Sequence, residues 1–138
     1  MKRPVALLAA NLATILAATL VGTGAIGCEL PPGGQEIASR DGTITLSYRP
    51  DPAGLAIDRH FSLIVHVCTK AVIAGLTVDA LMPEHRHGMN YKPGVKPISP
   101  SAWRADGLLL HMPGKWEFVF GVRTEGTTER LTHTVQVR

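Results

Sequence analysis

Apolar residues recur along most of this chain with a period of two rather than 3.6, the spacing that turns one face of an extended strand to a core and the other to water. Residues 43–49 alternate Ile44, Leu46 and Tyr48 with Thr43, Thr45 and Ser47, and Pro50, Asp51, Pro52 and Gly54 then break the run as a loop. Phe61, Leu63, Val65 and Val67 form one face of a second strand, whose other face carries His60, Ser62, Ile64, His66 and Cys68. Leu76, Val78, Ala80 and Met82 make a third. Residues 108–112 read as a short strand closed by a Pro113-Gly114 turn, and Trp116, Phe118, Phe120 and Val122 alternate just beyond it, so this pair is predicted to be a hairpin. The last strand sets Leu131, His133, Val135 and Val137 opposite Thr132, Thr134 and Gln136. Trp116 heads an alternating apolar face and is predicted to be the central core aromatic. No helical periodicity or internal repeat follows residue 27. About seven short strands in a domain of this size predict an all-β fold, an immunoglobulin-like two-sheet β-sandwich.

The first 27 residues do not fit that pattern. Lys2 and Arg3 precede an apolar stretch over residues 5–21, softened by Asn11, Thr14 and Thr19, and small residues follow at Gly22, Gly24, Ala25 and Gly27. This is the layout of a signal peptide. A spanning helix usually needs about 20 strongly apolar residues, and this stretch is shorter and rich in Ala and Thr. The reading is a signal peptide over residues 1–27 and a β-sandwich domain over residues 28–138, which is 138 minus 27, or 111 residues, in a periplasmic or secreted protein. An even pair of cysteines in an oxidising compartment is first read as a disulfide, here Cys28 with Cys68. The competing reading takes Gly27-Cys28 as the end of a lipobox, although Ala25 stands where Leu is usual; Cys28 would then be acylated, the protein anchored, and Cys68 left over. Membrane association is expected only through the leader or through that lipid.

Composition narrows the function. The formal charge of +3 falls to +1 once Lys2 and Arg3 are set aside, no basic cluster appears, and aromatic residues make up 5% of the chain, so no nucleic-acid partner is expected. There is no Ser, His and acid elbow, no phosphate-cradling Gly loop and no free reactive thiol, and no enzyme is expected.

The unusual chemistry is concentrated. The three methionines after the leader, Met82, Met89 and Met112, all lie beside histidines, in Met82-Pro83-Glu84-His85-Arg86-His87-Gly88-Met89 and His111-Met112-Pro113-Gly114. Methionines that only fill core gaps would be scattered among the strands. In an extended backbone, rising about 3.3 Å per residue, His85, His87 and Met89 project to one side and Glu84 and Arg86 to the other. Gly88 lets the chain bend and Pro83 stiffens the entry. Imidazole suits copper, zinc and nickel, whereas a thioether is a poor zinc ligand and a good one for cuprous copper. The mixture points to copper, as Cu(I) or Cu(II), with Glu84 or Asp79 as oxygen donors that would favour Cu(II). The candidate ligands are His85, His87 and Met89 first, then His111 and Met112, then Met82. His60, His66 and His133 read as solvent-facing or structural. The leading expectation is a copper storage or delivery protein with a copper donor or acceptor protein as partner. The alternative is a non-metal accessory or interaction domain in which the same loops are structural and an exposed edge strand or the Trp103 region docks a partner.

The two segments also carry a resemblance. Met82 to Met89, followed by Gly107-Leu108-Leu109-Leu110-His111-Met112-Pro113-Gly114-Lys115-Trp116, resemble the paired motifs of the YtkA-like family of small exported β-domains, in which a Met-Pro loop ending in His-Gly-Met precedes a His-Met-Xaa-Gly-Xaa-Trp segment. The resemblance spans residues 42–137. It implies an immunoglobulin-like sandwich with both segments at one end, and a non-enzymatic role in copper handling. Some similar sequences carry an auxin-binding label, which nothing in these residues supports. This chain departs from the pattern at Asn90 and Tyr91, which lengthen the loop before Pro93, and at Trp103 and Arg104, where many members have a Gly-Xaa-Tyr turn.

Overall fold

A computed structural model describes residues 28–138, so the leader expected over residues 1–27 lies outside the described residues. Nine strands follow one another: β1 (Gln35–Ala38), β2 (Ile44–Asp51), β3 (Phe61–Thr69), β4 (Ile73–Met82), β5 (His87–Gly88), β6 (Gly94–Ser99), β7 (Ala102–Leu108), β8 (Gly114–Thr124) and β9 (Thr128–Val137). They form a five-stranded sheet in the order β1-β2-β3-β7-β6 and a four-stranded sheet in the order β5-β4-β8-β9. Every pairing between neighbouring strands is antiparallel. Strands β2-β3-β7-β6 over β5-β4-β8-β9 reproduce the A-B-E-D and C′-C-F-G sheets of an immunoglobulin sandwich. The predicted fold class therefore holds, with nine strands against about seven expected.

Alternation explains why the sheets close on each other. Phe61, Leu63, Val65 and Val67 of β3 and Trp116, Phe118, Phe120 and Val122 of β8 are all buried between the layers, and Leu76, Val78, Ala80 and Met82 of β4 join them. Each such large side chain contributes roughly 1.5–3 kcal/mol by leaving water. Trp116 is fully buried, as its place in the pattern predicts. Tyr48 of β2 reaches across the layers, its hydroxyl hydrogen-bonded to His133 Nδ1 of β9 at 2.6 Å. His133 is thus a structural residue that ties the two sheets together.

Two expectations need correction. Residues 108–112 do not form a hairpin with β8: β7 ends at Leu108 in the five-stranded sheet, and β8 begins at Gly114 in the four-stranded one. The segment between them crosses from one sheet to the other. Leu108 and Leu110 are both buried, so the alternation is real, but its partner is the loop after β2: Leu110 forms a single parallel bridge with Ile57 and accepts a 2.9 Å bond from Asp58 N–H. Trp103, offered as a docking feature, is instead a buried core residue on β7, paired with Val65.

A disulfide joins Cys28 to Cys68, with 5.5 Å between their Cα atoms. It corrects the acylated reading of Cys28, because a lipid thioether needs the same sulfur. Cys68 lies near the end of β3, seven residues past Phe61, so the bridge sits roughly 23 Å along the strand from the end of the sandwich where β3 begins. Among the described residues no helix is long and apolar enough to cross a membrane.

Candidate metal site at the rim of the sandwich

The ends of β4 and β7 and the starts of β3 and β8 share one rim, and the two His/Met segments arrive there by different routes. The first turns at the end of β4. Pro83, Glu84 and His85 form one 3-10 turn, with Pro83 at its start where a missing N–H costs nothing, and Arg86 takes the left-handed conformation at φ 55° to end it. The chain then returns as β5, with His87 opposite Met82 and Gly88 opposite Leu81. A Cβ on Gly88 would stand 2.9 Å from both the Ala80 carbonyl oxygen and Leu81 Cδ2, so the close return requires glycine. Met89 N–H closes the hairpin on Ala80 C=O at 3.2 Å.

The second segment is the crossover between β7 and β8. It is held by the Ile57–Leu110 bridge on one side and by the Trp116 indole N–H, which donates to the Met112 carbonyl at 2.9 Å, on the other. These anchors bring His111 to His87: the imidazole centroids are 5.3 Å apart and the rings stacked, 30° from parallel. His85 lies 5.7 Å from His87, its ring tilted 37° to it. Beneath them the Trp116 ring meets His111 edge-on at 5.4 Å and His87 edge-on at 6.3 Å. His85 is exposed, while His87 and His111 are half-buried.

The route differs from the expected one. The chain between residues 83 and 86 is a turn, not an extended run, so Glu84 and Arg86 do not share an alternate face. His85 and His87 are neighbours because the turn folds one back toward the other. His87 Nδ1 lies 3.3 Å from its own neighbour's carbonyl, Gly88 C=O, so Nε2 is the ring nitrogen not engaged by that contact. Met89 and Met112 are half-buried at the rim and pack against the core. Met82 does not join them: it is 1% exposed, and its methyl end fills the space beside Gly114, where a Cβ would stand 2.9 Å from Met82 Cε.

The oxygen donors considered for the site are engaged elsewhere. Asp79 forms an ion pair with Lys92 and accepts the Ala80 N–H at 2.9 Å. Glu84 faces Lys115 at 3.5 Å, an exposed pair worth less than about 1 kcal/mol. Among the described residues no group of three or more His, Cys, Asp or Glu side chains is arranged to hold a metal ion. The rim therefore offers a pair of imidazoles, each with a methionine one or two residues away in the chain.

Sequence reasoning placed Trp116 in the core and missed that its ring also forms the floor under both imidazoles. The signal was the spacing of His111 and Trp116, five residues apart across a Pro-Gly turn. His60, which precedes β3 at the same rim, stacks on Tyr91 at 6.2 Å; no local spacing links two residues so far apart in the chain. Compared with family models, curated proteins and solved structures, the chain finds no match in any of the three.

Proposed function

We propose that this protein is an exported copper-binding protein of the storage or delivery type, that it belongs with the YtkA-like domains, and that copper is its cargo rather than a catalytic cofactor. One observation supports this reading above the rest: His87 and His111, from two separate loops, stack 5.3 Å apart at an open rim with a methionine one or two residues from each. A pair of imidazoles with thioethers suits copper better than zinc, which prefers thiolate, imidazole and carboxylate. A carrier must release its ion, and a half-buried pair with an exposed third imidazole, His85, leaves a path for a donor or acceptor protein to reach it. Beside this rim a shallow depression of about 390 Å³, lined by Leu81, Met82, Pro83, Arg86, His87, Gly88 and Glu117, gives such a partner an apolar foothold.

The test is a copper titration of the domain and of the double variant His87→Ala/His111→Ala. Losing a group that merely orients a ligand weakens binding about 10–100-fold, so losing two ligands is expected to exceed 100-fold. Equal affinity in both proteins would remove the site. The second reading, a non-metal accessory domain, is favoured by the Trp116 to Met112 hydrogen bond and the burial of Met82, both of which give parts of the motifs a packing role. It requires the apo double variant to unfold at clearly lower temperature than the parent; the copper reading requires the affinity loss instead.

A further inference from the structure

We infer that the free edge of β4 docks an extended segment of a partner protein, one that carries two apolar residues two apart and an acidic residue at the end that meets Arg123. The inference goes beyond the copper reading and holds whether or not the rim takes an ion.

The backbone is the first support. β8 pairs with one side of β4 in unbroken register from Gly75 to Leu81. On the other side β5 covers only Leu81 and Met82, and Met89 N–H reaches Ala80 C=O. Successive residues of a strand turn their backbone groups to opposite sides, so Val78 and Leu76 point N–H and C=O the same way as Ala80. Among the described residues no strand pairs with them there, and the edge from Gly75 to Asp79 stands open to an added strand. Edges are commonly blunted by Pro or Lys. β6, in the facing sheet, carries both at Pro97 and Lys96; β4 carries neither.

Apolar surface is the second. Residues of an added strand opposite Leu76 and Val78 share the face of those two side chains, which is the side of the opening between β4 and β6. Two depressions of about 330 and 490 Å³ lie there and share Leu76 and Val95; Pro97 and Trp103 line the first, Val78 and Pro93 the second. The large apolar side chains left exposed among the described residues are Val72, Tyr91 and Ile98. Val72 leads into β4, Tyr91 precedes Lys92 at the second depression, and Ile98 lies on β6 between Pro97 and Ser99 of the first. Apolar surface gathered on one flank marks a contact site.

Charge gives the partner its sign. Arg123 is the register partner of Gly75, and its guanidinium lies 3.1 Å from where a Gly75 Cβ would stand and donates to Ala74 C=O at 3.2 Å. Among the described residues no carboxylate pairs with Arg123. At the other end of the stretch Asp79 is already paired with Lys92. The charge left over at this edge is positive, so the residue placed opposite Gly75 is an acid.

The protein, disulfide intact, is titrated with the synthetic peptide acetyl-Ser-Val-Thr-Val-Glu-amide, whose valines fall opposite Val78 and Leu76 and whose glutamate falls opposite Gly75 in an antiparallel pairing. NMR follows the amides of Leu76 and Val78 and the Trp103 indole N–H, with the Trp116 indole N–H as reference. These three signals are expected to move and the reference to stay. N-methylating both valines removes two ladder hydrogen bonds and is expected to weaken binding at least about tenfold. Lysine in place of the glutamate is expected to weaken it about fivefold, the size of one exposed ion pair, and Arg123→Glu to reverse that preference. Equal binding of the N-methylated peptide overturns strand addition. An unchanged preference in Arg123→Glu overturns the acidic partner. Concentration-dependent shifts at the same amides without peptide make a second copy the occupant and overturn the assignment to a partner protein, and the absence of any shift up to the peptide's solubility limit overturns the site.

Discussion

Tyr48 provides a test of the sandwich interior that needs no ligand. Its ring is 3% exposed, packed against Phe118 and Phe120, and burial pushes its phenol from the ordinary 10.0 up to about 12. Between those two values the folded protein keeps a proton that the unfolded chain has lost. The contribution is therefore fully present below pH 10, declines as pH rises and is gone above about pH 12. A shift of this size, at about 1.4 kcal/mol per unit, corresponds to a loss of roughly 3 kcal/mol across the window. Urea unfolding at pH 9, 10, 11 and 12 on the parent and on Tyr48→Phe measures it, the difference between the two removing every contribution they share. The variant is expected to start about 0.5–1.5 kcal/mol lower, having lost the bond to His133, and then to decline less steeply. Absorbance of the phenolate provides a second check, the difference between the parent and Tyr48→Phe isolating the Tyr48 phenol. A Tyr48 phenol that ionises near pH 10, or a variant that loses stability in parallel with the parent, would refute the account of the interface.

Two further outcomes follow from the architecture. Opening the disulfide releases a closed loop of 40 residues, which in the chain-entropy description lowers stability by about 4 kcal/mol, read as a drop in the urea midpoint; at the opposite end of β3 from the rim, the histidine NMR signals should stay where they were as long as the domain remains folded. Met82→Leu is expected to cost less than about 1.5 kcal/mol and Met82→Ala about 2–5 kcal/mol, by chemical denaturation, with copper affinity unchanged in the leucine variant, because this sulfur lies inside the core.

The strands that line the core were legible because large apolar residues recur at every second position in β2, β3, β4 and β8, even though Ser47, Ser62 and Ile64 on the opposite faces are also buried. What was missed has physical causes. β1 has four residues, mostly exposed, too few to display a period. β6 contains Pro97, which demotes a run in any sequence reading, and the structure tolerates it because β6 is an edge strand. β7 uses Ala102 and Ala105 where larger residues would announce a strand, and places Arg104 and Asp106 on its outer face, where Arg104 holds Asp51, Asp106 and Ser62 together. That cluster keeps the Asp106 carboxyl below its usual range, chiefly through the Ser62 hydroxyl and then Arg104. At the rim, the clustering of His and Met was visible in one dimension, but pairing His87 with His111 depends on the crossover between sheets, which the hairpin expectation had drawn wrongly. The same expectation hid the third dimension of Trp116.

The crossover has a consequence for when the imidazole pair can exist. His87 arrives on β5 in one layer, and His111 arrives from β7 in the other. Neither layer alone carries the imidazole pair, so a half-folded chain does not present it. On the proposed reading, loading with an ion waits until the two layers have docked.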